Sequence, residues 1–458
     1  MTARWPGLAE LARPGGQDRR LGTGREATVA VDGRSLVLTE HLSFDQPPDA
    51  VTVVVPEAAG RPLRIEVDVD DGLGYAVTSI DTDGMKEWRS FWGPLPRVHQ
   101  LDLDPAPTMS WTVRVTPALR VATEAGHHHY HRSLYGPLAD RVVEHRFRES
   151  WLADPDGGRA RLADVDLFHL HWPEWFVGNR LDAARAFLDL LADTGVRLVW
   201  TQHNLVPHHD DPAHDELYQL MAGAAAGVAH HSAWGLARAT ERYDYAPDCV
   251  HRVIPHGHWG NLAGAPDHDR RRRRGEAEAE LGLAPTDLRL GIVGAPRRDK
   301  DVVGFAEAFA RCGRDDLGLV VLSLGDSESV PDDERIVARP YDFVDRTTYD
   351  RRLAAIDVLV LPFAPDGQML TTGVVADCVA QGLPALTTSW PYLVEALGGA
   401  ALPMGDDPDA WTAALDALDG DAVATAAAAA VGLRQRYDWS TVAGQLLELL
   451  EAVGSARH

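Results

Sequence analysis

Cysteine is nearly absent from this sequence: Cys249, Cys312 and Cys378 are the only three in 458 residues. Three scattered thiols build neither a disulfide framework nor a cysteine-based zinc site, and they suit a reducing compartment. Long apolar runs are missing too. No stretch approaches the roughly 20 apolar residues that cross a bilayer, and Met1-Thr2-Ala3-Arg4-Trp5-Pro6 lacks an apolar signal core. A cytoplasmic chain without a transmembrane segment is expected. Positive charge is outweighed, with 44 basic against 68 acidic residues and a net charge of −24. That balance argues against a general nucleic-acid or anionic-membrane surface, both of which require a positive field. The one basic cluster, Arg270 to Arg274, is flanked by Asp267, Asp269, Glu276 and Glu278 and reads as a solvated linker. Lysine is scarce in the C-terminal half, where Lys300 stands out.

What is present is enough chain for two or three domains. From Glu26 to Val115 short alternating runs such as Leu63 to Val69 are broken by Gly, Pro and Asp, the pattern of a small antiparallel, sandwich-like β domain. After Pro117 apolar strands alternate with helical stretches, as in a parallel sheet with crossover helices. Strands are expected at Leu119 to Thr123, Val165 to Leu170 and Arg197 to Thr201, and Val253-Ile254-Pro255 closes this half. A second series begins at Leu288 to Val293 and continues through Gly318 to Leu324, Ile336 to Val337, Val358 to Leu361 and Ala385 to Thr387. The expected division is a β-rich accessory domain at 1–116, Rossmann-like domains at 117–265 and 286–436, a linker at 266–285, and a C-terminal helix within 437–458 that packs back across them. Ligands in such sheets bind beyond the carboxyl ends of the strands.

Two loops in the second series suit an anion. After the strand ending near Leu361, Thr371-Thr372-Gly373 opens a helix whose free N–H groups and positive dipole end form a phosphate seat. The threonines add hydroxyl donors, Gly373 permits close approach, and Asp377, one turn on, is placed to accept from a ribose diol. Taken alone, this segment reads equally well as a threonine-capped helix with a solvent-facing Asp. The balance is tipped by Gly294-Ala295-Pro296-Arg297-Arg298-Asp299-Lys300 after the first strand of the same series. There Arg297 and Lys300 would neutralise a leaving pyrophosphate without a metal.

The chain at this point resembles the retaining nucleotide-sugar glycosyltransferases of the GT-B fold, in which two Rossmann-like domains face a cleft, and in particular a polysaccharide-type subgroup with a Thr/Ser-Gly phosphate loop. The phrases that carry the resemblance are His169-Leu170-His171-Trp172-Pro173-Glu174, Thr201-Gln202-His203-Asn204-Leu205-Val206-Pro207-His208, Val253-Ile254-Pro255-His256-Gly257-His258, the Arg297/Lys300 turn and Leu370-Thr371-Thr372-Gly373. They run in family order from about Ala118 to the C-terminus. The resemblance implies that Arg297 and Lys300 hold the donor diphosphate, that Thr371 to Gly373 cradle it, and that Asp377 contacts the ribose. Many relatives carry a Glu-x7-Glu pair. Its second Glu falls at Asp377 and its first at Met369, a departure for which Gln368 or Asp366 are the candidate substitutes.

His203, at a strand end, is expected to face the donor sugar and to bond a hydroxyl or stabilise developing charge. The alternative is a structural histidine at the sheet edge. Gly126, after the strand Leu119 to Thr123, is expected to let the backbone approach the donor phosphate or the acceptor. The run His127-His128-His129-Tyr130-His131 is a poor shared metal site, because consecutive side chains at a helix start diverge by about 100°. His127 and Tyr130 are assigned to the acceptor cleft. Trp172 to Trp175 are read as a loop that stacks on a sugar ring, with packing an equal alternative.

The resulting expectation is a metal-independent, retaining glycosyltransferase without a cofactor, whose donor is a nucleoside diphosphate sugar and whose acceptor is a glycan, lipid or natural product. The rivals are a carbohydrate-binding protein with a decayed site, and an epimerase or phosphorylase of the same architecture.

Overall fold

The computed structural model describes residues 119–124, 128–138, 141–163, 165–206, 213–260, 267–364 and 369–454, together with the backbone of ten strands before them. The chain divides into two compact units, Met1–His169 with Asp193–Arg197 and Gly454–His458, and Leu170–Ala192 with Leu198–Val453.

The ten early strands are β1 (Thr2–Ala3), β2 (Ala12–Pro14), β3 (Glu26–Asp32), β4 (Ser35–Leu42), β5 (Ala50–Pro56), β6 (Leu63–Val69), β7 (Ala76–Thr82), β8 (Met85–Phe91), β9 (Val98–Gln100) and β10 (Thr108–Arg114). They form two five-stranded sheets, ordered β1-β3-β4-β6-β9 and β2-β5-β10-β7-β8. The expectation of a wholly antiparallel domain is corrected here, because β4 and β6 run parallel with Leu36 opposite Leu63. Between them the chain crosses to the other sheet as β5, and a strand that returns after such a crossover lies parallel to the one it left.

The first parallel sheet contains β11 (Leu119–Thr123), β12 (Val142–Arg146), β13 (Leu167–Leu170), β14 (Arg197–Gln202), β15 (Ala225–His230) and β16 (Val250–Val253), in the order β12-β11-β13-β14-β15-β16. Its helices are α1 (His129–Tyr135), α2 (Pro155–Leu162), α3 (Pro173–Val177), α4 (Leu181–Thr194), α5 (Ala213–Ala224) and α6 (Ala233–Arg242). Apolar spacing makes α4 amphipathic, so Ala183, Ala184, Phe187, Leu190 and Leu191 are buried.

The second parallel sheet contains β17 (Leu288–Ile292), β18 (Leu317–Leu324), β19 (Ile336–Pro340), β20 (Val358–Leu361), β21 (Ala385–Thr387) and β22 (Ala401–Pro403), in the order β19-β18-β17-β20-β21-β22. Around it run α7 (Asp267–Leu281), α8 (Val302–Arg311), α9 (Arg346–Leu353), α10 (Gly373–Gln381), α11 (Pro391–Leu397), α12 (Pro408–Ala417) and α13 (Gly420–Gly432), and α14 (Trp439–Gly454) ends the described chain. Both faces are covered. Val358 and Val360 pack with Phe305 and Phe309 of α8, whereas Leu359 and Leu361 pack with Val375 of α10 and Trp390. That two-sided burial is why β18 is buried along its whole length and reads as one continuous apolar run.

The segment expected to be a linker is the helix α7. Its arginines are organised by helical spacing, with Arg272 bonding Glu276 at 2.8 Å and Arg274 bonding Glu278 at 2.9 Å. Arg274 also reaches Asp357, just before β20, at 3.2 Å. At the other end of the chain, α14 packs onto the first sheet, and two glycines make room for it. A Cβ on Gly227 in β15 would lie 2.6 Å from Val453, and one on Gly257 would lie 2.4 Å from the indole of Trp439.

Candidate functional site

The anion-suited loops lie at the carboxyl ends of β17 and β20. Val293 and Gly294 follow β17, and Gly294 takes a positive φ of 85°. A Cβ there would sit 3.3 Å from Val374 in the first turn of α10 and 3.8 Å from the Lys300 Nζ. Glycine therefore lets this turn close against both. Lys300 is one of two lysines in the sequence, the other being Lys86, and its side chain is only 4 % exposed. Its ammonium donates to the Val293 carbonyl at 2.5 Å and to Ser323 Oγ at 2.6 Å, and Ser323 in turn donates to the Gly294 carbonyl at 2.6 Å. Burial, reinforced by the neighbouring Arg297 charge, pushes its pKa down to about 7.

Two backbone hydrogen bonds tie this loop to the one after β20: Ala364 N–H donates to the Asp299 carbonyl at 2.8 Å and Asp301 N–H to the Pro362 carbonyl at 2.9 Å. Between the loops lies the buried ring of Phe363, with the Arg297 guanidinium 5.1 Å and the Lys300 ammonium 5.8 Å from its centroid. Arg297, 22 % exposed, is paired with Asp299, its Nε donating at 2.9 Å. An anion arriving here meets Arg297 already partly neutralised. Arg298 is exposed, as expected of a residue pointing away.

Thr372 is the N-cap residue of α10, but its side chain makes no capping bond. Thr371 Oγ1 donates to the Tyr392 hydroxyl at 2.7 Å. Both threonines are buried, and the space above Gly373 is bounded by Trp259, whose Nε1 lies 3.7 Å from where a Cβ would stand. The alternative of an ordinary threonine cap with a solvent-facing Asp does not describe this helix. Asp377 is buried, accepts from the Tyr349 hydroxyl at 3.0 Å and pairs with Arg346 at 2.9 Å. Burial pushes its carboxyl up to about 6 against the opposing pull of Arg346. Met369 packs against the apolar cluster beneath α10.

The first sheet brings imidazoles and indoles to the same end of the fold. His203 follows β14, His231 follows β15, and His256 follows β16. His203 Nδ1 lies 3.1 Å from His231 Nε2, its Nε2 lies 3.3 Å from His171 Nδ1, and His231 Nδ1 lies 3.0 Å from the Ile254 carbonyl. Trp172 stacks on His203 at 4.6 Å and 15°, and its other neighbour, Trp175, stacks on it at 4.7 Å. The expected loop from Trp172 to Trp175 is instead the N-cap and first turn of α3, started by Pro173 at a position where a missing N–H costs nothing. Trp172 is 7 % exposed and Trp175 60 %. The ring offered to solvent at this corner is Trp175.

These two groups of loops are joined. Asn204 and Met369 form an antiparallel bridge, and Leu370 lies 3.7 Å from where a Cβ on Gly235 would stand. Glu395 of α11 accepts from Ala233 N–H at 2.7 Å and Trp234 N–H at 2.9 Å, satisfying the open first turn of α6. His203, Arg297, Lys300, Thr371, Thr372, Gly373, Asp377 and Trp172 thus belong to one compact unit. Tyr130 belongs to the other unit, buried in α1 with its N–H donating to His128 Nδ1 at 3.3 Å. Gly126, His127, Asp366 and Gln368 lie outside the described residues. Sequence reasoning missed His171 and His231 as partners of His203. The available signal was that both stand at strand ends in phrases rich in histidine, His169-Leu170-His171 and His230-His231-Ser232.

No family model matches this sequence, and no curated protein is similar to it. Among solved structures it is similar to Anabaena HepE in complex with UDP-glucose, at 15% identity over 73% of this chain and 100% of that one with a TM-score of 0.55. It is similar to the sucrose-phosphate synthase of Thermosynechococcus elongatus, at 15% identity over 74% of this chain and 100% of that one with a TM-score of 0.55. A glycosyltransferase from Rickettsia africae matches at 11% identity over 74% of this chain and 99% of that one, with a TM-score of 0.53. The likeness is one of fold: the chain has the GT-B architecture of these proteins, two parallel six-stranded Rossmann-like sheets.

Proposed function

We propose that this protein transfers a sugar from a nucleoside diphosphate sugar to an acceptor hydroxyl, with retention of the anomeric configuration and without a metal. The observation that carries the reading is the buried Lys300 beside the first turn of α10, brought together at Gly294. A cation held by neutral acceptors and the positive dipole end of α10 form a preorganised seat for a diphosphate. The solved HepE structures hold UDP and UDP-glucose, which favours a nucleoside diphosphate as the occupant here.

In this reading Lys300, Arg297 and the first turn of α10 hold the leaving diphosphate. The bond from the anomeric carbon to the phosphate oxygen breaks with its electron pair going to the phosphate. The acceptor hydroxyl attacks the same face of the sugar, and the departing phosphate oxygen takes its proton. Asp377 shapes the ribose side of the pocket through Arg346 and Tyr349. The acceptor, a glycan, lipid or natural product, enters past Trp175 and the stacked Trp172.

Calorimetric titration with UDP, GDP, ADP and dTDP and their sugars, with and without EDTA, tests the donor site. Binding of one nucleotide series that is insensitive to EDTA and lost in Lys300→Met supports it. Glycan binding with no affinity for any donor would make the chain a carbohydrate-binding protein instead. A product anomer inverted relative to the donor would refute retention.

A further inference from the structure

We propose that His231 is a positioning residue that locks His203 in the Nδ1-protonated form, so that His203 presents Nε2 as a hydrogen-bond acceptor. The derivation starts from a group with no freedom. The Ile254 carbonyl can only accept, so His231 carries its proton on Nδ1, 3.0 Å away. Burial holds His231 neutral, its pKa pushed down to about 4 with the Ile254 carbonyl opposing that shift. A neutral ring protonated on Nδ1 has its lone pair on Nε2. The atom facing that lone pair at 3.1 Å is His203 Nδ1, which therefore donates. His203 in turn carries its lone pair on Nε2, where His171 Nδ1 donates from 3.3 Å.

The result is a one-way chain, His171 to His203 to His231 to Ile254, in which each donor strengthens the next. The ring plane of His203 is held by Trp172, stacked at 4.6 Å. The backbone at Ile254 is fixed as well, because its N–H donates to the His230 carbonyl at 2.7 Å. Which nitrogen of a histidine bears the proton is set by the bond the other one makes. Here that decision is made at the end of β16 and delivered to the end of β14. The consequence for transfer rests on the function proposed above: a substrate hydroxyl that displaces His171 from the single lone pair of Nε2 must donate to it, so the site favours a free hydroxyl over an ether or deoxy position.

The test uses the full chain labelled with 15N-histidine and long-range 1H–15N spectra near neutral pH, with the His203 signals identified by their loss in His203→Gln. The expected pattern is a protonated Nδ1 and an unprotonated Nε2 on His203, without any ligand. His231→Phe removes the acceptor and is expected to release the lock, giving the Nε2-protonated or a mixed form. His231→Gln supplies a carbonyl acceptor at the same place and is expected to restore the pattern. A wild-type His203 protonated on Nε2, or a pattern unchanged in a folded His231→Phe protein, overturns the proposal. Turnover is a separate reading: kcat is expected to fall about tenfold in His231→Phe and to recover in His231→Gln. Absence of any turnover in the wild type counts against the transferase reading, and the spectra still decide the lock.

Discussion

At the carboxyl end of the second sheet stand an ammonium, a guanidinium and the first turn of α10, which has no side-chain cap; at the carboxyl end of the first stand His203, His231 and His256 with the indoles of Trp172 and Trp259. Both ends are buried, yet burial is accommodated in different ways. Lys300 keeps three neutral oxygens around its charge, from Val293, Gly294 and Ser323. His231 instead gives up its charge, its pKa pushed down to about 4 by burial, and bonds His203. Under the proposed function, one end would receive an anion and the other neutral hydroxyl-bearing groups. The difference teaches that two copies of one supersecondary plan can carry opposite chemistry through the residues that follow their strands.

The largest effect that would break this contrast comes from Lys300→Met, which keeps the side-chain length and removes the charge. Affinity for a nucleoside diphosphate is expected to fall about 100-fold, the upper range for a charge-assisted bond, while binding of an uncharged sugar is unchanged; calorimetry reads both. Equal losses for charged and neutral ligands would erase the distinction between the ends.

Next in size is Gly257→Ala, which forces a Cβ into the Trp439 indole at the first-sheet end. Overpacking of this kind costs about 1–3 kcal/mol, so a lower melting temperature is expected, together with weakened packing of α14.

The two ends should also answer pH in opposite directions. Because Lys300 titrates near 7, affinity for a nucleoside diphosphate sugar is expected to fall as pH rises above that value, by up to about tenfold per unit. Burial shifts His230 and His231 down, to about 3 and about 4, from the ordinary imidazole value of 6.5. Their contribution to stability is complete above 6.5 and is lost as pH falls toward 3 to 4, since the unfolded chain binds those protons first. Melting curves from pH 7.5 down to 4.5 check the second statement and calorimetry from pH 6 to 9 the first. A flat affinity profile would mean that Lys300 keeps its proton throughout.

The smallest expected effect belongs to Arg297→Ala. Its charge is shared with Asp299 and partly exposed, so a loss of only a few-fold in diphosphate affinity is expected. A loss as large as that of Lys300→Met would show that Asp299 yields Arg297 to the ligand.

Much of this was legible in the chain before folding was considered. Continuous apolar runs such as Gly318 to Leu324 announce strands buried on both faces, and a Thr-Thr-Gly phrase after a strand announces an open helix end. Other features resisted reading. The alanine-rich residues Ala225-Ala226-Gly227-Val228-Ala229-His230 follow the helix α5 without a break, yet they form β15. Burial inside a parallel sheet outweighs a propensity worth tenths of a kcal/mol per residue. The arginine run looked like a solvated linker because i,i+4 partners are invisible until the segment is known to be helical.

The sequence by itself determined the periodicities, and with them the two α/β series, the glycine turn before Arg297 and the helix opening at Gly373, because these depend on neighbours within a few residues. Only the tertiary structure decided that Lys300 is buried, that Asp377 is bound by Arg346 and Tyr349, and that His171, His203 and His231 form one chain. Those outcomes depend on where separate strand ends meet, and hydrogen-bond partners 23 to 32 residues apart are set by the sheet order rather than by any local pattern.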